Sequence, residues 1–181
     1  MSKLAAIQTE SATGKAKELL EAVQAKLKIT PNMTRVMANS PAVLEAYLSF
    51  SGALAGGALA PKLREEIALE VGEQNSCQYC VSAHTAIGKM TGLSDGEIAA
   101  AREARSDSAK EDAALKFAQA IVAKKGNATD ADLQAVRRAG FTDGEIAEII
   151  AHVALNLFTN YFNNTAGVEV DFPKIALHHT A

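Results

Sequence analysis

The chain has 181 residues, 48% of them hydrophobic and 22% charged, a balance typical of one globular domain rather than a disordered or fibrous chain. Its formal net charge of −3 provides no basic face for nucleic acid or an anionic membrane, which leaves small molecules and protein partners. Residues 1–18 lack the apolar core of a secretory signal, and no run of about 18 apolar residues occurs, so we expect a cytoplasmic protein.

The composition predicts an all-α fold, because alanine is abundant, glycine and proline sit at punctuation points, and period-2 strand patterns are lacking. Residues 12–28 form an amphipathic helix with one apolar side, made of Leu19, Leu20, Val23 and Leu27. We expect a single domain in which residues 1–39 are an N-terminal helical brace, 40–165 a catalytic helical core, and 166–181 a tail.

The next helix opens at Ser40 and Pro41, as an N-cap residue followed by proline at the first helical position. The glycines at positions 52, 56 and 57 then loosen the chain. This glycine-rich segment lacks the Gly-Lys-Ser/Thr of a phosphate-binding loop, and no strand precedes it, so we interpret it as a hinge between helices.

Pro61 begins a helix that extends to about Asn75. Its apolar positions leave Glu65, Glu66 and Glu70 to divide between solvent and a site. A further helix from about residue 77 to residue 90 is closed by a C-cap glycine.

The second half of the chain is marked by capping boxes, which predict helix starts at Ser94, Ser108, Thr129 and Thr142. The sequence GLSDGEIAAA is echoed by GFTDGEIAEI, each copy being preceded by a turn glycine, and this echo predicts two similar helical halves. The last helix is expected from about Asp143 to Asn164 and is unusually apolar.

The only two cysteines lie three residues apart, and a histidine follows the second at four. On a helix this spacing places Cys77, Cys80 and His84 along one stripe, and Glu65 comes from the preceding helix. The first turn of a helix lowers a thiol pKa, because unpaired amide groups point at the sulfur. A histidine that exchanges protons and a glutamate that orients it complete a peroxide-reactive or disulfide-reactive site.

Other interpretations of these residues stay open. Cys77, Cys80 and His84 can bind zinc with a distant fourth ligand such as His152, although there is no second CxxC pair. The cysteines can equally be inert core residues, since free cysteine is often buried, and a histidine alone is more often structural than catalytic.

A polar stripe of His152, Asn156 and Asn160 recurs every four residues on the apolar last helix. It either borders the site or forms a hydrogen-bonded seam between helices or subunits, and we favour the seam. The neighbouring aromatic side chains are interpreted as packing residues rather than a ligand cage; they are Phe158, Tyr161 and Phe162.

The pattern Glu-x11-Cys-x2-Cys-x3-His, carried by Glu65, Cys77, Cys80 and His84, resembles that of the AhpD-like alkylhydroperoxidases of the carboxymuconolactone decarboxylase superfamily. The resemblance covers roughly residues 40–105, and the late segment VALNLFTNYFNNTAGVEVDFP is similar to the family's closing helix and tail. It implies an all-helical homo-oligomer, from trimer to hexamer, without metal or cofactor.

The resemblance also implies an order of roles. Cys80 would attack an alkyl hydroperoxide or hydrogen peroxide and become a sulfenic acid, which Cys77 would resolve as a disulfide. His84 and Glu65 would relay protons, and an unidentified dithiol or thiol protein would return the enzyme to its reduced form. Tyr79 replaces the histidine that precedes the second cysteine in lipoamide-linked members, so the reductant is not assigned, and its hydroxyl is a site-lining candidate.

Two other functions are considered. Lactone decarboxylation is disfavoured because that chemistry has no use for a redox dithiol. A redox-sensing or zinc-stabilised helical oligomer would use the same cysteines without catalytic turnover.

Overall fold

The computed structural model describes residues 2–178 and contains only helices, turns and loops in that part of the chain. A short 3-10 turn at Thr9–Ser11 precedes nine α-helices. These are α1 Gly14–Leu27, α2 Asn32–Met37, α3 Pro41–Ala55, α4 Pro61–Gln74, α5 Gln78–Met90, α6 Asp95–Ala101, α7 Ala109–Ala123, α8 Asp130–Arg138 and α9 Asp143–Ala166. The all-α prediction is therefore confirmed, and no helix within residues 2–178 has the length and apolarity needed to cross a membrane.

Local capping explains most helix starts. Ser94, Thr129 and Thr142 each form a reciprocal capping box, in which side chain and backbone satisfy one another's free groups. Ser108 accepts a bond from the Glu111 amide, but the return bond is not present. Ser40 makes no side-chain cap bond, so α3 starts through its proline at the first position.

The predicted hinge is a tight turn fastened to α9. The backbone amides of Ala58 and Leu59 donate to the two carboxylate oxygens of Glu148, at 2.9 and 3.0 Å. A side chain at Gly57 would collide with this carboxylate, which explains the need for glycine there. The turn sets the angle between α3 and α4.

Two apolar clusters hold the helices together, and α4 borders both. The main core lies between α4 and α6–α9 and contains Ile67, Leu69, Val71, Leu115, Val136 and Ile149. The cysteine core lies between α1–α3, the start of α5 and the end of α9, and contains Leu20, Val36, Met37, Leu44, Cys77 and Cys80. Residues of α1 and α2 therefore belong to the same apolar cluster as the two cysteines.

The two predicted halves share their capping device but differ in helix length. The helix after Ser94 has 7 residues, whereas the helix after Thr142 has 24. The shorter helix ends before Ala104, which adopts a left-handed φ of 53°, and Arg102 at its C-cap forms a buried ion pair with Glu73. The echo therefore marks equivalent helix starts only.

The tail, up to His178, has no helix or strand but is fastened to the rest of the chain. The Ile175 amide donates to Ser82 Oγ at 3.0 Å, and Gln78 Nε2 donates to the Ile175 carbonyl at 3.2 Å. The His178 amide donates to Glu73 at 2.6 Å. These bonds hold the tail against α4 and α5. Residues 179–181 of the predicted tail lie outside the described residues.

Candidate active site

The two cysteines form a disulfide at the beginning of α5. Cys77 is the N-cap residue, and its Sγ accepts a bond from the Cys80 amide at 3.3 Å. The Cα atoms are 5.3 Å apart, within the range that a disulfide spans. Cys77 is 0% and Cys80 2% exposed, so the redox-capable pair lies inside the cysteine core.

A tight connection between α4 and α5 fixes the position of the pair. Ser76 adopts a left-handed φ of 50°, and the Cys77 amide donates to the Gly72 carbonyl at 2.9 Å. A Cβ at Gly72 would already touch the Cys80 Cβ at 3.4 Å, so a small residue lets α4 pass close to the disulfide.

Glu65 and His84 are brought together as the sequence pattern predicts. His84 Nδ1 lies 2.7 Å from Glu65 Oε2, and the side chains are 23% and 17% exposed respectively. His84 follows Cys80 by four residues on α5, so its imidazole lies one turn from the sulfur. A carboxylate that binds one ring nitrogen sets the tautomer and leaves the other nitrogen for proton exchange.

Tyr79 points away from this pair. Its hydroxyl accepts a hydrogen bond from the Met33 amide at 3.2 Å, and its ring packs edge-to-face on Phe172 with centroids 5.8 Å apart. Burial, opposed by the Met33 bond and assisted by the nearby Asp171 carboxylate, raises the pKa of this phenol. Tyr79 therefore ties α5 to α2 and to the tail.

Asn163 on α9 contacts the disulfide and was not among the predicted site residues. Its Nδ2 lies 3.3 Å from Cys80 Sγ and 3.3 Å from Met33 Sδ. Asn163 follows Asn160 by three residues, so extension of the predicted polar stripe by one turn identifies it.

The predicted polar stripe is buried, with His152, Asn156 and Asn160 at 6%, 5% and 0% exposure. Asn156 Nδ2 donates to the His152 carbonyl within α9, whereas Asn160 Oδ1 accepts from Asn75 Nδ2 at 3.2 Å and so joins α9 to the end of α4. His152 Nε2 has no partner. Burial and the Arg64 charge lower the pKa of His152, opposed by Glu148 and Glu65.

Tyr47 on α3 is a second residue near the site that is not among the predicted site residues. It packs half-buried against the cysteine core. Burial and then the nearby Glu65 carboxylate raise the pKa of Tyr47. No sequence signal distinguishes it from the other apolar positions of α3.

The expectation that Glu66 and Glu70 face solvent or the site is wrong. They are 3% and 2% exposed, and each has a carboxylate oxygen without a partner. Burial, with Glu111 and Glu97 nearby, raises the pKa of Glu66 to about 7, and burial alone raises the pKa of Glu70 to about 8. Residues 66 and 70 are one turn apart on α4, on a different face from Glu65.

The zinc interpretation receives no geometric support from the part of the chain that the structure describes. There, no group of three or more His, Cys, Asp or Glu side chains is arranged to hold a metal ion. His152 lies near Glu65 and His84, which influence its pKa, rather than completing a set of cysteine-centred ligands.

Comparison with known proteins agrees with the geometry. Residues 41–123, which include Glu65, both cysteines and His84, match the carboxymuconolactone decarboxylase family. A comparison with curated protein sequences gives no significant match.

Solved structures share the whole fold. An uncharacterized peroxidase-related protein from Ralstonia eutropha, with an alkylhydroperoxidase AhpD core, is 26% identical, with 94% of this chain and 92% of that one covered and a TM-score of 0.83. A peroxidase-related protein from Silicibacter sp. is 25% identical, with coverages of 86% and 84% and a TM-score of 0.76.

The debrominase Bmp8, in complex with 2,3,4-tribromopyrrole, has the same fold at 21% identity, with coverages of 93% and 91% and a TM-score of 0.80. At that identity the likeness concerns the fold alone. The family match over the CxxC helix and the fold shared with the two peroxidase-related structures together support an AhpD-like member of the carboxymuconolactone decarboxylase superfamily.

Proposed function

We propose that the chain is a thiol-dependent peroxidase that reduces alkyl hydroperoxides or hydrogen peroxide through a dithiol/disulfide cycle. The observation that carries this proposal is the Cys77 to Cys80 disulfide at a helix N-terminus, one turn from a His84 that is bound to Glu65. The free amides of the first turn favour the thiolate, and the histidine supplies a proton to the leaving oxygen.

The cycle begins with the Cys80 thiolate. It attacks the distal oxygen of the hydroperoxide, the O–O bond breaks, and the alkoxide leaves with a proton from the His84 imidazolium, so that Cys80 becomes a sulfenic acid. The Cys77 thiol then attacks the sulfenic sulfur and water leaves, which forms the observed disulfide. In this second step the neutral His84 takes the proton of the Cys77 thiol and passes it to the leaving hydroxide, and Glu65 holds the imidazole throughout.

The cycle closes when an external dithiol or thiol protein donates two electrons and two protons to the disulfide. The Tyr79 hydroxyl is engaged by Met33, so we do not assign it a proton-transfer role with the reductant. We place the reaction in the cytoplasm, where thiol reductants keep such pairs cycling.

We further propose a homo-oligomer, trimeric or hexameric. The outer face of α9 leaves Ile150, Phe158 and Tyr161 at 46%, 40% and 60% exposure. A groove of about 430 Å³ between α9 and the N-terminal segment is lined by Phe158, Tyr161, Phe162 and Ala166. Exposed apolar surface of this kind is typical of a subunit contact.

A second candidate is a redox sensor that oxidises but turns over poorly, because the burial of Cys77 and Cys80 hinders a bulky protein reductant more than a small peroxide. A lactone decarboxylase would not require the dithiol. The sensor and the peroxidase share the oxidation step and differ in steady-state turnover with a reductant.

The deciding experiment is a peroxide-consumption assay with several reductants, including dihydrolipoamide, dithiothreitol and a thioredoxin-type protein. Wild type should consume hydrogen peroxide and cumene hydroperoxide, whereas Cys80→Ser should not. Met90→Ser, at an 86% exposed position on the same helix, controls for the substitution and should retain activity. Full activity in Cys80→Ser, or no consumption with any reductant, would refute the peroxidase. Stoichiometric oxidation without turnover would identify the sensor.

A further inference from the structure

The carboxamide of Asn163 is buried against the Cys80 sulfur, and only its amide nitrogen makes hydrogen bonds. The side chain is 3% exposed, and Nδ2 lies 3.3 Å from Cys80 Sγ. Oδ1 is buried and has no hydrogen-bond partner within residues 2–178. A buried acceptor left unpaired costs about 1–3 kcal/mol, so Oδ1 is an acceptor beside the sulfur that a donor from a ligand would satisfy.

The neighbours of Asn163 fix which way the carboxamide faces. Met33 Sδ and Cys80 Sγ are both acceptors rather than donors in this state, and both lie 3.3 Å from the same amide nitrogen. The opposite orientation would place a carbonyl oxygen against two sulfur lone pairs. Nδ2 therefore faces the sulfurs, and Oδ1 is the free group.

We propose that Asn163 is a catalytic residue of the peroxidase reaction, which donates a hydrogen bond from Nδ2 to the Cys80 thiolate and accepts the O–H of the hydroperoxide at Oδ1. The inference rests on the proposed function and deepens it. One carboxamide then holds the nucleophile and the attacked oxygen together, which orients the O–O bond for displacement.

The step balances without any change in the protonation of Asn163. The distal oxygen keeps its hydrogen, which stays bound to Oδ1 while the S–O bond forms and becomes the sulfenic acid hydrogen. The proximal oxygen leaves with the O–O electron pair and takes its proton from His84. The substrate class follows: the site selects peroxides that carry an O–H, namely hydrogen peroxide and alkyl hydroperoxides, over dialkyl peroxides.

The donor half is tested by the Cys80 thiol pKa, measured in a Cys77→Ser background from the ultraviolet absorbance of the thiolate. Asn163→Leu keeps the volume but removes donor and acceptor, and we expect it to raise the thiol pKa by about one to two units, as loss of a hydrogen bond to a charged group does. Asn164→Ala is the matched control, because that neighbouring asparagine bonds only the Asn75 carbonyl. An unshifted pKa in Asn163→Leu overturns the donor role.

The acceptor role of Oδ1 is tested by the rate constants for reaction with peroxide, measured at a pH at which the Cys80 thiol of every variant is fully ionised. Asn163→Leu should react about tenfold or more slowly than wild type, whereas Asn163→Gln, which keeps a carboxamide acceptor, should lose less. Equal rates in wild type and both variants overturn the acceptor role. Circular dichroism of each variant verifies the fold.

A measurement on the wild type alone guards against variants that do not fold. Its rate enhancement over a free thiol should be at least tenfold larger for cumene hydroperoxide than for a dialkyl peroxide. Equal enhancement for both classes overturns the inference. If the wild type reacts with no peroxide, the proposed function itself fails, and the thiol pKa comparison still decides whether Asn163 stabilises the thiolate.

Discussion

Glu70→Gln should increase the free energy of unfolding at neutral pH, although it replaces an ionisable carboxyl group with a neutral amide. Glu70 is 2% exposed, has an unpartnered Oε2, and has no cation beside it to offset burial, which raises its pKa from 4.5 to about 8. In the unfolded chain the carboxyl ionises near its ordinary value. Folding at neutral pH therefore requires this group to take up a proton.

The sign and size follow from that difference. Between pH 4.5 and about 8 the folded state binds more protons than the unfolded state, so stability falls as the pH rises through this window. Each pKa unit corresponds to about 1.4 kcal/mol, so the penalty at pH 7 is about 3 kcal/mol. Glutamine has nearly the same shape and leaves a similar unpaired polar atom, so the substitution removes mainly the ionisation penalty.

The assay is urea unfolding, followed by circular dichroism, at pH 5, 6, 7 and 8 and at constant protein concentration. The gain from Glu70→Gln should be small at pH 5, reach about 3 kcal/mol at pH 7, and grow toward pH 8. Glu10→Gln, at an exposed position, is the control and should have no comparable pH-dependent effect. A gain that is independent of pH, or a loss at pH 7, would refute the reasoning.

Three further outcomes follow from the site. Glu65→Gln should lower kcat/KM with peroxide about a hundredfold while the fold is kept, because His84 loses the carboxylate at 2.7 Å; an unchanged rate would remove Glu65 from the relay. Tyr79→Phe should cost about 1–3 kcal/mol of stability in urea unfolding and leave kcat near wild type, since its hydroxyl serves a buried backbone amide; a large loss of kcat would contradict that. Cys77→Ser should trap Cys80 as a sulfenic acid that dimedone labels, detected by mass spectrometry; labelling at no cysteine after peroxide treatment would reverse or exclude the assigned order.

The described helices other than α2, and the Glu65 to His84 contact, could be predicted because they depend on short-range rules. Capping boxes, prolines at first helical positions and turn glycines act within a few residues, and so does the one-turn spacing that relates Cys80 to His84. The contact of Glu65 with His84 required only that α4 and α5 pack against each other, which the short connection before Cys77 ensures.

The rest depended on long-range packing. Glu66 follows Glu65 directly, and the sequence has no sign that one residue reaches His84 while the other is buried near α6 and α7. Asn163 lies 83 residues from Cys80 along the chain and meets it only because the end of α9 packs beside the start of α5. Tyr79 turned away from the pair because α2 supplied a backbone amide, a group that no side-chain pattern can reveal.

The buried acids and the thiol site make opposite demands on pH. A thiolate nucleophile becomes more populated as the pH rises. Burial of Glu70, in contrast, lowers the free energy of unfolding by about 3 kcal/mol at pH 7 and by more at pH 8. This loss is a large share of the roughly 5–15 kcal/mol by which such domains are typically stable. We therefore expect the alkaline loss of peroxidase activity to coincide with loss of the circular dichroism signal. Glu70→Gln should raise both the pH at which activity is lost and the pH at which the protein unfolds. If only the unfolding pH rose, ionisation within the site, and not unfolding, would set the alkaline limit of activity.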